Sequence, residues 1–147
     1  MSVHRFCVKD VDTATPEESA WVAAVRMHDR AVGSLVVVDP QQRPVGIITD
    51  RDLVERVMMF DRLPREVELS EVMTPDPVVA KSNASVESAI ELMREGGFRR
   101  LPLVDDDRQL CGLISLDDVL MLLCEEVSQI GQIIRKKTPE AIVAQGV

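Results

Sequence analysis

The chain has 147 residues, enough for one domain or for two small repeats that share a core. Its formal net charge of −8 argues against nucleic acid as the main partner, because a phosphate backbone needs a basic surface; a small anion in one local basic pocket is still allowed. Hydrophobic residues make up 46% and aromatic residues 3%, so the core is expected to be built from Val, Leu, Ile, Ala and Met. Cys7, Cys111 and Cys124 are odd in number and contain no CxxC pair, which excludes a disulfide framework and a zinc site. No apolar run approaches the roughly 18 residues of a membrane helix, and residues 1–10 carry no signal-peptide core. A cytoplasmic setting without membrane insertion is therefore expected.

Taken in order, Thr15-Pro16-Glu17-Glu18 signals a helix start, and Ala20, Ala23, Ala24, Met27 and Ala31 follow at helical spacing. Residues 34–39 read as a strand, 40–43 as a turn and 44–48 as the return strand of a hairpin. A short helix is expected from about Thr49 to near Phe60. Residues 61–69 are polar, carry Pro64 and read as a linker, with a helical turn at 70–73. Pro75 and Pro77 then force an extended segment into Val78-Val79-Ala80. Ser82-Asn83-Ala84-Ser85 starts another helix, carried by Val86, Ala89, Ile90 and Met93 and ended by Gly96-Gly97. Residues 101–104, the turn 105–108 and residues 110–114 form a second hairpin. A longer helix follows from about Ser115 through Leu123 to Ile134.

The chain repeats itself. A shift of 66 residues aligns 7–53 with 73–119 without a gap, and 11 of the 47 pairs are identical, among them Asp39/Asp105, Gly46/Gly112 and Asp52/Asp118. The fold expected is α/β (α+β): two pseudo-twofold-related repeats, each strand–helix–hairpin–helix, packed sheet to sheet because neither could bury its sheet face alone. The boundaries expected are repeat one at 1–62 with an N-terminal strand, a linker at 63–72, repeat two at 73–134 and a frayed tail at 135–147.

The junctions after the hairpins carry the chemistry. Gly46 and Gly112 lie in return strands, where a glycine marks a bulge or a close approach. Thr49 and Ser115 fall at the N-cap of the next helix, where hydroxyls and free N–H groups favour an anion. Asp52 and Asp118 fall in the first turn, where a carboxylate can accept from both hydroxyls of a ribose. Thr-x-x-Asp is also an ordinary capping box, a reading compatible with the first.

The pattern G-h-h-T/S-x-x-D-h, twice, with Met73-Thr74-Pro75-Asp76-Pro77 between and Arg99-Arg100-Leu101-Pro102-Leu103-Val104-Asp105 before the second copy, resembles a tandem pair of CBS (cystathionine β-synthase) domains. The resemblance covers about residues 8–123. It implies a disc-like α/β module whose clefts bind AMP, ADP, ATP, S-adenosylmethionine or a similar adenosyl ligand, as in regulatory and energy-sensing proteins. Such modules often dimerise and often regulate an enzyme or transporter, fused or separate, so a homodimer and a separate target are expected here; no reaction and no obligatory cofactor are expected, because no nucleophile, base and stabiliser converge. Carried over, Asp52 and Asp118 match the ribose-binding carboxylate, Thr49 and Ser115 the hydroxyl beside it, and Arg100 a phosphate-binding position. Arg99 and Pro102 flank Arg100, and Arg51 adds positive charge beside Asp52 where Asp117 stands beside Asp118. The two clefts are therefore expected to differ, with either one as the better nucleotide site.

Two other classes stay open: a ligand-free interaction dimer whose Thr/Asp motifs serve only as caps, and a thiol-based redox protein acting through Cys7, near His4. Cys111 and Cys124 read as core, Asp105-Asp106-Asp107 as a solvated turn, and residues 119–123 as a surface for a second copy.

Overall fold

The computed structural model describes residues 1–137. Its elements are β1 (Thr13–Ala14), α1 (Ala20–Arg30), β2 (Ser34–Val38), β3 (Pro44–Thr49), α2 (Asp50–Arg56), α3 (Leu69–Val72), β4 (Thr74–Pro75), β5 (Ala80–Lys81), α4 (Val86–Gly96), β6 (Arg100–Val104), β7 (Leu110–Ser115) and α5 (Leu116–Lys137). Short 3-10 turns cover Val3–Arg5, Met58–Phe60 and Pro64–Glu66. Two mixed sheets result, ordered β1-β2-β3-β4 and β5-β6-β7.

The 66-residue periodicity is visible in the hydrogen bonds. Ser19 caps α1 by accepting from the Val22 N–H at 3.2 Å, and Ser85 caps α4 by accepting from the Ser88 N–H at 3.1 Å. The first helix thus starts at Ala20, later than the Thr15 signal, because Thr15–Glu18 closes a turn of its own. In the hairpins Leu35 faces Ile48 and Leu101 faces Ile114, and each pair shifts register at the same place, after Val37 and after Leu103. Asp39 Oδ1 accepts from the Gln41 and Arg43 N–H groups, both at 2.9 Å; Asp105 Oδ1 accepts from Asp107 at 3.0 Å and Gln109 at 2.9 Å. Each aspartate holds its own hairpin turn, which explains why both copies carry it. The turns meet where the Leu110 N–H donates to the Gln42 carbonyl at 2.8 Å.

The segment leading into each repeat crosses to the other. β4 pairs antiparallel with β3 of the first repeat, although it leads into the second. Val8 pairs with Leu113 on β7 of the second repeat, with both backbone bonds at 2.9 Å. The two strand glycines make room for these crossings. A Cβ on Gly46 would stand 2.3 Å from Met73 Sδ, and one on Gly112 would stand 2.8 Å from Cys7 Sγ. The close approach expected at both glycines is thus made by the protein's own crossing segments. The N-terminal strand expected in repeat one is β1, paired parallel with β2, while the residues before it form a 3-10 turn and a bridge packed on repeat two, where Val3 is fully buried.

Residues 63–72, expected as a linker, contribute Val67, Leu69 and Val72 to the first core, beside Leu35, Val37 and Ile48. The second core gathers Leu101, Leu103, Ile114, Val119 and Leu122. Val119 and Leu122 are therefore core, while Leu120, Met121 and Leu123 are exposed. Cys124, expected in the core, is exposed, because it sits on the outer face of α5. Residues 135–137, expected to fray, continue α5, and the rest of the expected tail lies outside the described residues.

Candidate functional site: two clefts between the repeats

Two clefts of the same design lie between the repeats. The first, of 310 Å³, is lined by Ile47, Thr49 and Asp52 of repeat one, by Thr74, Asp76, Pro77 and Val78 of the crossing segment, and by Phe98, Arg99 and Arg100 of repeat two. The second, of 200 Å³, is lined by Leu113, Ser115 and Asp118, by Val8, Asp10, Val11 and Asp12, and by Val32, Gly33 and Ser34. Every one of these is the 66-residue counterpart of a residue in the first cleft. Arg100 lines the second cleft as well.

At the first cleft, Thr49 and Asp52 close a full capping box. The Asp52 N–H donates to Thr49 Oγ1 at 3.1 Å and the Thr49 N–H donates to Asp52 Oδ2 at 3.0 Å. Asp52 Oδ1 stands 3.5 Å from the Arg56 guanidinium. At the second, Asp118 Oδ2 accepts from the Ser115 N–H at 2.7 Å and from its hydroxyl at 2.8 Å. Arg56 has no counterpart there, since Leu122 holds that position in the core. Most first-turn N–H groups expected to be free for an anion are engaged: Arg51 donates to Asp50 Oδ1 at 2.8 Å, Asp118 to Ser115 Oγ at 3.1 Å, and Leu116 to the Arg99 carbonyl at 2.8 Å. The main positive charge offered to an anion is that of side chains.

The structure brings Thr49, Asp52, Arg99 and Arg100 together from the two repeats, and Ser115 and Asp118 opposite them. Arg51 and Pro102 line neither cleft. Arg51 points into solvent, 82% exposed, and pairs with Glu55 one helical turn on at 2.7 Å. Pro102 lies buried in β6 facing Leu113. Arg99 makes an exposed ion pair with Asp117 at 3.3 Å. Arg100 is half-buried, and among the described residues its guanidinium has neither a hydrogen bond nor an ion pair.

Phe98, Ile47, Val78 and Asp76 were not among the residues expected at the site. The 66-residue offset could have pointed to them once the crossing was known. Cys7 packs its thiol on Gly112 and donates to the His4 carbonyl at 3.5 Å. Burial pushes the Cys7 thiol above its ordinary pKa, the reverse of what an attacking thiolate needs. Among the described residues no group of three or more His, Cys, Asp or Glu could hold a metal ion, and no helix is long and apolar enough to cross a membrane.

The fold and the paired clefts define a tandem two-repeat module, and the chain belongs to the CBS domain family, whose model matches residues 3–59 and 69–125. It is 36% identical over 122 residues to an uncharacterized protein of Methanopyrus kandleri, covering 83% of this chain and 62% of that one. It is 39% identical over 113 residues to the inosine-5'-monophosphate dehydrogenase of Methanocaldococcus jannaschii, covering 77% of this chain but 22% of the enzyme. The chain thus spans less than two thirds of the length of either. Among solved structures, the CBS domain pair of protein MJ0100, in complex with 5'-methylthioadenosine and S-adenosyl-L-methionine, superposes with a TM-score of 0.75 at 24% identity, covering 84% of this chain and 99% of that one. At that identity the likeness is one of fold.

Proposed function

We propose that this chain is a regulatory module that binds a phosphate-bearing adenosyl nucleotide (AMP, ADP or ATP) in the first cleft and signals by a change in the arrangement of its repeats. The observation that carries this reading is Arg100, a half-buried residue whose guanidinium has no hydrogen-bond or ion-pair partner among the described residues, in the same cleft as Asp52. Ile47, Val78 and Phe98 offer an apolar slot for a base. Asp52 retains lone pairs for a ribose diol, and Arg100, with Arg99 released from Asp117, faces the phosphate. The cleft draws on both repeats and the crossing segment, so a ligand there favours whichever arrangement it bridges best. The exposed apolar side chains of α5 and of Met58–Phe60 would receive a second copy of the chain, and the output would pass to a separate target.

The complete capping boxes favour one other reading, an interaction module without ligand. A thermal-shift series separates the two. AMP, ADP or ATP at about 100 times Kd should stabilise the wild type by about 2.7 kcal/mol. Asp52→Ala and Arg100→Ala should abolish that gain, and Asp118→Ala should keep it. An unmoved melting point with all three nucleotides, confirmed by dialysis, would leave the interaction module standing.

A further inference from the structure

We propose that Arg100 is a specificity-determining residue shared by the two clefts, and that it limits each chain to one phosphate-bearing ligand at a time. The inference rests on the nucleotide reading above and goes beyond it in assigning a stoichiometry and a reason for it. Among the described residues, Arg100 is the one that lines both clefts. It opens β6, paired across from Ser115, and so enters between the two sites. Its Nη2 lies 3.5 Å from the point where a Cβ on Gly33 would stand, and Gly33 lines the second cleft. One planar guanidinium serves two places where an anion could sit.

The second cleft has no cation of its own to take over. The counterparts of Arg99 and Arg100 are Gly33 and Ser34. Asp10, Asp12 and Asp118 line it, and Asp50 Oδ2 reaches to 3.4 Å from the Gly33 Cβ point. Two cations stand near it without lining it: Arg30 is committed to Asp12 at 2.7 Å and to Asp10 at 3.3 Å, and Lys9, between Val8 and Asp10, is exposed. A phosphate in the first cleft draws Arg100 to itself and leaves the second cleft with carboxylates as its lining charges, which repel a second phosphate. A nucleoside without phosphate escapes this limit. Asp118 presents its carboxylate as Asp52 does, and among the described residues its Oδ1 accepts no hydrogen bond.

Equilibrium dialysis of the full chain with AMP and, separately, with adenosine tests the proposal. The expected result is one AMP per chain, lost in Arg100→Ala and kept in Asp118→Ala, against two adenosines per chain. Gly33→Arg should raise AMP to two, because a Cβ there meets only ordinary contacts, the nearest at 3.4 Å. Two AMP per wild-type chain would overturn the sharing of Arg100 while leaving the nucleotide reading intact. So would one adenosine per chain, or a folded Gly33→Arg that still binds one AMP. Binding of neither compound would remove both readings. Should Gly33→Arg not fold, the comparison of AMP with adenosine on the wild type decides.

Discussion

Asp52 shows how one side chain can serve the fold and a site together. One carboxylate oxygen caps α2 and the other faces Arg56, yet the group still opens into the first cleft. Removing it therefore costs a cap, worth about 1 kcal/mol, along with any ligand contact. Melting curves of Asp52→Ala without ligand must set the baseline for the nucleotide test. Ala31 shows a residue under strain. It ends α1 with φ 53°, where its counterpart Gly97 ends α4 with φ 68°. The left-handed conformation costs an L-residue about 1–2 kcal/mol and glycine almost nothing. Ala31 is exposed, so Ala31→Gly should gain about 0.5–1 kcal/mol after the entropy of glycine is subtracted. The urea midpoint should rise; a fall would mean that the Ala31 methyl makes a contact worth more than the strain.

At the scale of the element, α5 departs most from its counterpart. α2 stops at Arg56 after two turns, whereas α5 runs 22 residues, and none of residues 123–136 is buried. Roughly 20 Å of helix therefore projects past the second core. A free helix of that length is marginal in water, so packing against a second copy would add stability to it. Leu120, Leu123, Val127 and Ile130 are exposed at spacings of 3, 4 and 3, the step that keeps one stripe facing a neighbouring helix. In sedimentation the wild type should run as a dimer. The double variant Val127→Glu, Ile130→Glu should run as a monomer with an unchanged circular dichroism spectrum. A dimer that survives both charges would place the contact elsewhere, with Met58–Phe60 the next face to probe.

At the scale of the whole molecule, the crossing of the two lead-in segments makes each repeat depend on the other's sequence. Residues 1–9 stabilise the second repeat: Val3 is fully buried there, its N–H donates to the Ala84 carbonyl at 3.0 Å, and Val8 exchanges backbone bonds with Leu113. Deleting residues 1–9 should cost about 2–4 kcal/mol, the loss of one buried side chain and several backbone bonds. Hydrogen exchange should show protection falling in α4, β6 and β7 while β2 and β3 keep theirs. Earlier loss in β2 and β3 would contradict this assignment of the segment. Residues 67–73 play the matching part for the first repeat through Leu69, Val72 and Met73.

What the sequence determined by itself is what short-range forces decide. The helix start within residues 82–85, the hairpin turns held by Asp39 and Asp105, and the placement of Thr49/Asp52 and Ser115/Asp118 all depend on contacts within four residues, so periodicity and turn chemistry disclose them; the cap at Ser19 lies past the Thr15 signal, which closes a turn of its own. The 66-residue offset then shows that the unit occurs twice. Tertiary structure decided the rest. The lead-in segments suit either repeat in sequence, and only packing sends Met73 to Gly46 and Cys7 to Gly112. Arg51 and Arg100 look alike as basic residues near a motif; a neighbouring Glu55 takes the first out of the site, while the junction of two rigid repeats sets the second between both clefts. A cleft is made by the relative placement of two folded units, and that placement is fixed by contacts between residues far apart in the chain, which local pattern does not encode.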